Sequence, residues 1–346
     1  MKNKSILLFE YSWRNIDFIT DNISGTMQIN KILMKEYLPY YHIYYCVPHD
    51  VNVNLDNDLK NVNIIHIDNN FINIIKTIPN IQLIINTNYN FHSIVKEIYS
   101  MDNNIKCLFF KHLYNNGTFN EDIYNLYHKI ITVINDITDI NNDNKIEFIL
   151  NPYNPLYDNI DLHNIQKDHS VIIDYGDSRT SSNWDYLCNE IYQKLKNIIP
   201  DIKFKFCFPT YDGICIDFTK YPDFKSFGSL SEKNVKLQLL QTPVVFRIYD
   251  CWEACPISNL NELLCGTFII STFKDGMKNN VTEKFYNKYS CKNKSTDEIV
   301  ELMADVILNY DKYINDLIYE QQYIYNNRSI KQTLPKYKKI IDSLLY

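Results

Sequence analysis

Glycine is scarce in this chain, seven in 346 residues, and no Gly-x-Gly-x-x-Gly run occurs. A nicotinamide-dehydrogenase turn needs those glycines where the backbone approaches a pyrophosphate, so that class is set aside. P-loops, serine-hydrolase elbows and zinc-protease helices are also absent. Nine cysteines include no Cys-x-x-Cys pair, and the closest two, Cys251 and Cys255, have no matching pair to complete a zinc site. The first apolar run, 6–9, is too short for a signal-peptide core and far too short to span a bilayer. Basic residues are not in excess: the net charge of −6 argues against nucleic-acid binding, which needs a concentrated basic surface.

What is present describes a globular protein, because 45% hydrophobic and 22% charged residues indicate neither disorder nor membrane insertion. The length exceeds what one core conveniently serves, so two domains are expected. Scattered cysteines suit a reduced, cytoplasmic setting in which they act as small buried hydrophobes. Abundant Asn, Ile, Lys and Tyr point to an AT-rich genome, such as that of a large DNA virus, a parasite or an AT-rich bacterium; a viral protein would work in the host cytoplasm.

Short apolar runs alternate with longer amphipathic ones, the pattern of α/β layers. The first half predicts strands at 5–9, 42–46, 63–67, 82–86, 106–110, 130–134 and 147–150, with helices at 27–35, 91–99 and 121–128. Asn151-Pro152-Tyr153-Asn154-Pro155 then stops regular structure. A second series follows: strand 170–175, helix 183–198, strand 203–208, and helix 231–241 with Ser231 as its N-cap. The tail from 296 is helical by pattern, with an interruption near Pro335. The expected division is a first Rossmann-like domain over 1–166, a second over 167–326, and a final helical segment, 327–346.

The most informative stretch is 241–272, QTPVVFRIYDCWEACPISNLNELLCGTFIIST. Runs 244–248 and 268–270 read as buried parallel strands, and a helix beginning near Ser258 is closed by Gly266. Glu253 stands on the loop before that helix, where N–H groups and the helix dipole favour an anionic ligand. The stretch resembles the C-terminal-domain signature of retaining glycosyltransferases of the GT-B fold, the group that includes glycogen and sucrose synthases. In that group a second Glu follows the first after seven residues, and an Ala-x-x-Cys-Gly-like run leads into the next strand. Here Glu253 is followed at that spacing by Asn261, then by Leu264-Cys265-Gly266-Thr267.

The resemblance implies two Rossmann-like domains facing a cleft, with the C-terminal helix, about 327–346, returning to the first domain and Glu253 holding the donor sugar; the plainer reading of Glu253 is a solvated loop glutamate. Cys255, Pro256 and Ile257 would offer backbone groups to the sugar or phosphate, and Ser258 either caps the helix or contacts phosphate. Asn261 and Glu262 compete for the ribose. Ile257, Leu260, Leu263 and Leu264 make one apolar face with Asn261 on its edge, while Glu262 points about 100° further round, which favours Asn261. An asparagine forgoes the charge-assisted bonds a carboxylate makes with two hydroxyls.

The family holds the diphosphate with an Arg and a Lys after the first strand of the second domain. At those positions this chain has Asp177 and Ser182, leaving Arg179 as the nearby cation, or else a surface arginine. Arg247, inside a predicted buried strand, either faces the cleft and phosphate or pairs with an acid such as Asp250. In the first domain Gly25 and Thr26 lie in the loop where the family approaches donor and acceptor. His112 matches a region where some relatives place a cleft histidine, although an ordinary loop histidine fits as well.

Glycosyl transfer from a UDP-, GDP- or ADP-sugar to a glycan, lipid or protein acceptor is therefore implied, with retention and with neither a metal nor another cofactor required. A degenerate nucleotide- or glycan-binding module and a sugar-nucleotide epimerase are the alternatives. Asp56-Asn57-Asp58 fits the letters of a GT-A metal site but lies in an early polar loop. Oligomeric state leaves no mark on the sequence.

Overall fold

A computed structural model describes residues 3–12, 15–19, 25–111, 121–133, 144–174, 186–207, 219–228, 230–247, 256–273 and 275–346. The chain divides into two compact units, Met1–Pro152 with Ile330–Tyr346, and Tyr153–Ser329.

The first unit is built on seven parallel strands. In chain order these are β1 (Ser5–Phe9), β3 (His42–Pro48), β5 (Asn63–Ile67), β6 (Ile81–Asn86), β7 (Lys106–Lys111), β8 (Lys129–Thr132) and β9 (Ile146–Phe148), and in space β5-β3-β1-β6-β7-β8-β9. A two-residue pair, β2 (Ile16–Asp17) with β4 (Val53–Asn54), stands apart. Helices α1 (Gly25–Tyr37), α2 (Phe71–Thr77), α3 (His92–Met101) and α4 (Glu121–Leu126) belong to the same unit. Alternation along β1 splits its side chains between two cores: Ile6 and Leu8 join one with α1, Leu7 and Phe9 the other with α2 and α3.

The second unit has five parallel strands, β10 (Ser170–Asp174), β11 (Lys203–Phe206), β12 (Phe224–Ser226), β13 (Val244–Arg247) and β14 (Phe268–Ser271), in the order β12-β11-β10-β13-β14. A wide π-helical turn, Tyr186–Tyr192, runs into α5 (Gln193–Ile198). It is followed by α6 (Glu232–Gln241), α7 (Ile257–Leu264), α8 (Glu283–Tyr289), α9 (Thr296–Leu308) and α10 (Tyr310–Arg328). Ser231 caps α6, its side chain accepting from the Asn234 N–H.

Three sequence expectations change. The units part at 152/153 and 329/330, because Tyr153, Tyr157 and Leu162 pack into the second core and the Tyr153 N–H donates to the Arg328 carbonyl at 3.0 Å. Pro335 does not interrupt the tail: α11 (Ile330–Leu345) runs through it, and the breaks fall at Asn309 and Ser329, where the backbone leaves helical geometry. Losing one N–H is tolerated there because Tyr337, Ile340, Ile341 and Leu345 seat the helix in the first unit's core, with Tyr37 bonded to Asp342 at 2.9 Å. Gly25 and Thr26 open α1 and are not part of the loop before it. No helix among the described residues is long and apolar enough to cross a membrane.

Gly266 ends α7 at φ +69°, and an added Cβ would sit 2.6 Å from the Tyr310 hydroxyl and 3.1 Å from Leu162 Cδ2. That hydroxyl also donates to the Gly266 carbonyl at 2.7 Å. Gly266→Ala should therefore cost about 2 kcal/mol, from left-handed strain plus displacement of Tyr310, read as a lower unfolding midpoint.

Candidate functional site

In the second sheet the chain runs outward from β10 through β11 and β12, then returns to the other side of β10 as β13 and β14. The reversal lies between β10 and β13, where Asp174 stands in register with Arg247. Open α/β sheets bind ligands at such a switch point, outside the carboxyl ends of the strands. The loops that leave this point carry Arg179, Glu253 and Cys255, which lie outside the described residues, as do His112 and Asp250.

Arg247 ends β13 and is 1% exposed. Its Nη2 donates to the Ser258 hydroxyl at 3.0 Å and to the Glu262 carboxylate. Ser258 and Glu262 are four apart and so share one face of α7, which explains how a single guanidinium reaches both. Glu262 is 4% exposed and Asn261 6%, so the helix is buried beyond its apolar face. Glu262, about 100° round the helix from Asn261, points inward to Arg247.

The start of α7 is different in character. Pro256 is the N-cap with extended backbone, and no side chain caps the helix. Ser258, in the first turn, is exposed, while Ile257 is buried. A helix N-terminus at the end of a parallel strand attracts anions through its N–H groups and dipole. Asn280 secures the entry by donating to the Pro256 carbonyl at 2.8 Å, and Arg328 Nη2 in turn holds Asn280 Oδ1 at 2.9 Å.

The first unit has its own reversal, between β1 and β6. Glu10 follows β1 there, 3% exposed, with Asn30 Nδ2 donating to its carboxylate at 2.5 Å. Burial pushes its carboxyl from 4.5 up to about 8, against weaker lowering by bonds with Thr87, the Tyr11 backbone and Asn30. Beside it Asn86 Nδ2 donates to the Tyr127 hydroxyl at 2.7 Å, which leaves that hydroxyl's proton for His92 Nδ1 at 2.5 Å. Burial holds His92 neutral, pushed down to about 4. Sequence reasoning missed these residues; the one available signal was an acid directly after the first apolar run. The Asp-x-Asp letters are occupied otherwise: Asp56 caps a short 3₁₀ turn and pairs with Lys31 at 2.9 Å, and Asp58 pairs with Lys35 at 2.7 Å.

No protein-family model matches the chain, and no curated protein matches it in sequence. Among solved structures, Anabaena HepE in complex with UDP and glucose is similar at a TM-score of 0.71, covering 98% of this chain and 100% of that one at 11% identity. The fold is GT-B. A glycosyltransferase from Rickettsia africae is similar at 0.68, covering 100% and 99% at 15% identity. Sucrose-phosphate synthase from Thermosynechococcus elongatus is similar at 0.65, covering 99% of each chain at 8% identity. The GT-B fold supplies the two Rossmann-like units, each with a strand reversal of its own.

Proposed function

We propose that this GT-B chain is a glycosyltransferase that moves a sugar from a UDP-, GDP- or ADP-sugar to a glycan, lipid or protein acceptor, with retention and without an essential metal. The observation that supports this most is the uncapped start of α7, with exposed Ser258, directly after the β13 loop that carries Glu253. Glu253 would hold the sugar hydroxyls. The α7 N-terminus, Ser258 and Arg179 would hold the diphosphate, whose growing charge on departure is what oriented N–H groups stabilise best. Anabaena HepE, whose fold this chain shares, has been solved with UDP-glucose. Buried free thiols at Cys46, Cys107, Cys188, Cys265 and Cys291 suit a cytoplasmic setting.

The test is a screen of UDP-, GDP- and ADP-sugars for binding, transfer and slow donor hydrolysis. Glu253→Ala is expected to abolish turnover while the unfolding midpoint stays unchanged; undiminished turnover would remove Glu253 from the assignment. One observation favours a second reading, a nucleotide-binding module without turnover: the Arg247 guanidinium is engaged inside the protein by Glu262 and Ser258. Tight nucleotide binding with no donor cleavage would select that reading.

A further inference from the structure

The carboxyl end of α7 is as closed as its start is open. The Asn261, Glu262 and Leu263 carbonyls accept from the Cys265, Thr267 and Gly266 N–H groups at 3.1, 2.9 and 3.0 Å. The next three carbonyls have no partner within the helix, and each is taken by a side chain from elsewhere in the second unit. Gln321 Nε2 donates to the Leu264 carbonyl at 3.2 Å, Lys167 Nζ to that of Cys265 at 2.9 Å and the Tyr310 hydroxyl to that of Gly266 at 2.7 Å.

Lys167 holds more than one helix. It stands three residues before β10, and its Nζ also donates to the Leu239 carbonyl at 2.9 Å and the Thr242 carbonyl at 3.1 Å, at the carboxyl end of α6. Thr242 precedes β13 and Cys265 precedes β14, so these oxygens meet at the amino edge of the parallel sheet. One cation thus sits at the negative ends of two helices whose positive ends lie at the opposite, carboxyl edge. Three carbonyls match the three donors of an ammonium, whereas a neutral amine has two N–H bonds and would turn its lone pair on the third oxygen. That match opposes the burial that pushes Lys167 from 10.5 down to about 7. The Tyr310 ring, its centroid 5.6 Å from Nζ, closes another side.

We propose that Lys167, with Gln321 beside it, is a positioning residue for the nucleotide: by anchoring the rear of α7 at the amino edge of the sheet, it holds the helix N-terminus in place at the carboxyl edge, about 12 Å away. N–H groups fixed in advance bind an anion without first having to be ordered by it. The assignment rests on the nucleotide-sugar reading above. A cavity of about 580 Å³, lined in part by Gln166, Lys167, His169, Asn309 and Tyr310, opens beside the lysine, so a small amine from solvent can reach the three carbonyls once the stem is removed.

Titration calorimetry of the full chain with UDP, GDP and ADP, run well below the unfolding midpoint, tests this. Lys167→Met keeps the stem and removes the charge, so affinity for the diphosphate should fall about tenfold to a hundredfold, the scale on which a small displacement from afar is felt at a site. Lys167→Ala should show the same loss and regain affinity in n-propylammonium; tetramethylammonium, which has no N–H to donate, should restore nothing. A Lys167→Met protein that melts lower yet binds the diphosphate as tightly as the unmodified one overturns the positioning role and leaves the nucleotide-sugar reading standing. So does a Lys167→Ala protein whose affinity the amine does not restore. If neither lysine variant folds, Gln321→Leu, which releases the Leu264 carbonyl at the same end, decides: undiminished affinity there overturns the assignment, and a smaller loss supports it. If none of the three diphosphates binds the unmodified protein, the nucleotide-sugar reading falls and this assignment with it.

Discussion

Arg247→Met is expected to destabilise the second unit by about 3–5 kcal/mol, the usual cost of breaking a buried ion pair from one side. The reason is the carboxylate left behind. Glu262 is 4% exposed and the Arg247 side chain is fully enclosed, so removing the guanidinium strands a charge in the interior and takes a donor from Ser258. Protonation of Glu262 would relieve part of the cost, so the defect should shrink at low pH. The double variant Arg247→Met/Glu262→Leu should recover most of the loss, since apolar groups of similar volume replace buried pairs at little cost or some gain. Urea unfolding, with hydrogen exchange in β13 and α7 to localise the change, checks both. A single variant within 1 kcal/mol of the unmodified protein, a bound taken from ordinary surface pairs, would mean that water reaches this pair.

Glu10→Gln is expected to make the first unit more stable at alkaline pH, with little effect below pH 5. The native carboxyl titrates at about 8 and the unfolded one near its ordinary 4.5. A raised acid is bound to its proton in the folded state across that window, so its contribution is fully present below 4.5 and is lost as pH rises through 8. The loss accumulates at about 1.4 kcal/mol per pH unit. Burial favours the neutral form, whose O–H is a donor, over the weaker bonds with Thr87, the Tyr11 backbone and Asn30 that favour the charged one. Glutamine keeps that donor and does not titrate. Thermal unfolding of both proteins from pH 5 to 9 should therefore give curves that converge at the acid end, separate as pH rises toward about 8 and hold a constant gap beyond it. Parallel curves would show that Glu10 is ionised in the fold.

Much of this architecture was readable from the chain because buried parallel strands are unbroken apolar runs. Strands Ser5–Phe9 and Asn63–Ile67 coincide with the expected limits end to end, and the 241–272 resemblance led to the GT-B fold that the structural comparisons show. What escaped has specific causes. The helix Phe71–Thr77 is FINIIKT, short and rich in β-branched residues, and its N-cap Asn70 makes no side-chain capping bond, so its pattern reads equally as strand. The strand Phe224–Ser226 has three residues and therefore no period to detect. At the site, Ile257, Leu260, Leu263 and Leu264 of α7 are buried as the pattern expects, but nothing in the pattern tells what packs on the opposite face. That face is closed from afar, by Arg247 on β13 and by Glu232 and Tyr157, while Gln321 of α10 reaches the Leu264 carbonyl at 3.2 Å. Such partners are set by tertiary packing, which a helical wheel does not contain.

Helix α11 belongs to the first unit yet follows the whole of the second along the chain. For a ribosome that adds residues from the N-terminus, this reverses the order of completion. The sheet face carrying Ile6, Leu8, Leu83 and Ile85 is made early but waits for Tyr337, Ile340 and Ile341 to cover it. Meanwhile residues 153–329 are all in hand and can close upon themselves. The first unit must then bridge the entire second to finish, an entropic cost that grows only with the logarithm of the intervening length and falls further once that stretch is compact. The part of the protein translated first is thus the last to become whole, and during that interval its apolar sheet is the surface a chaperone would meet.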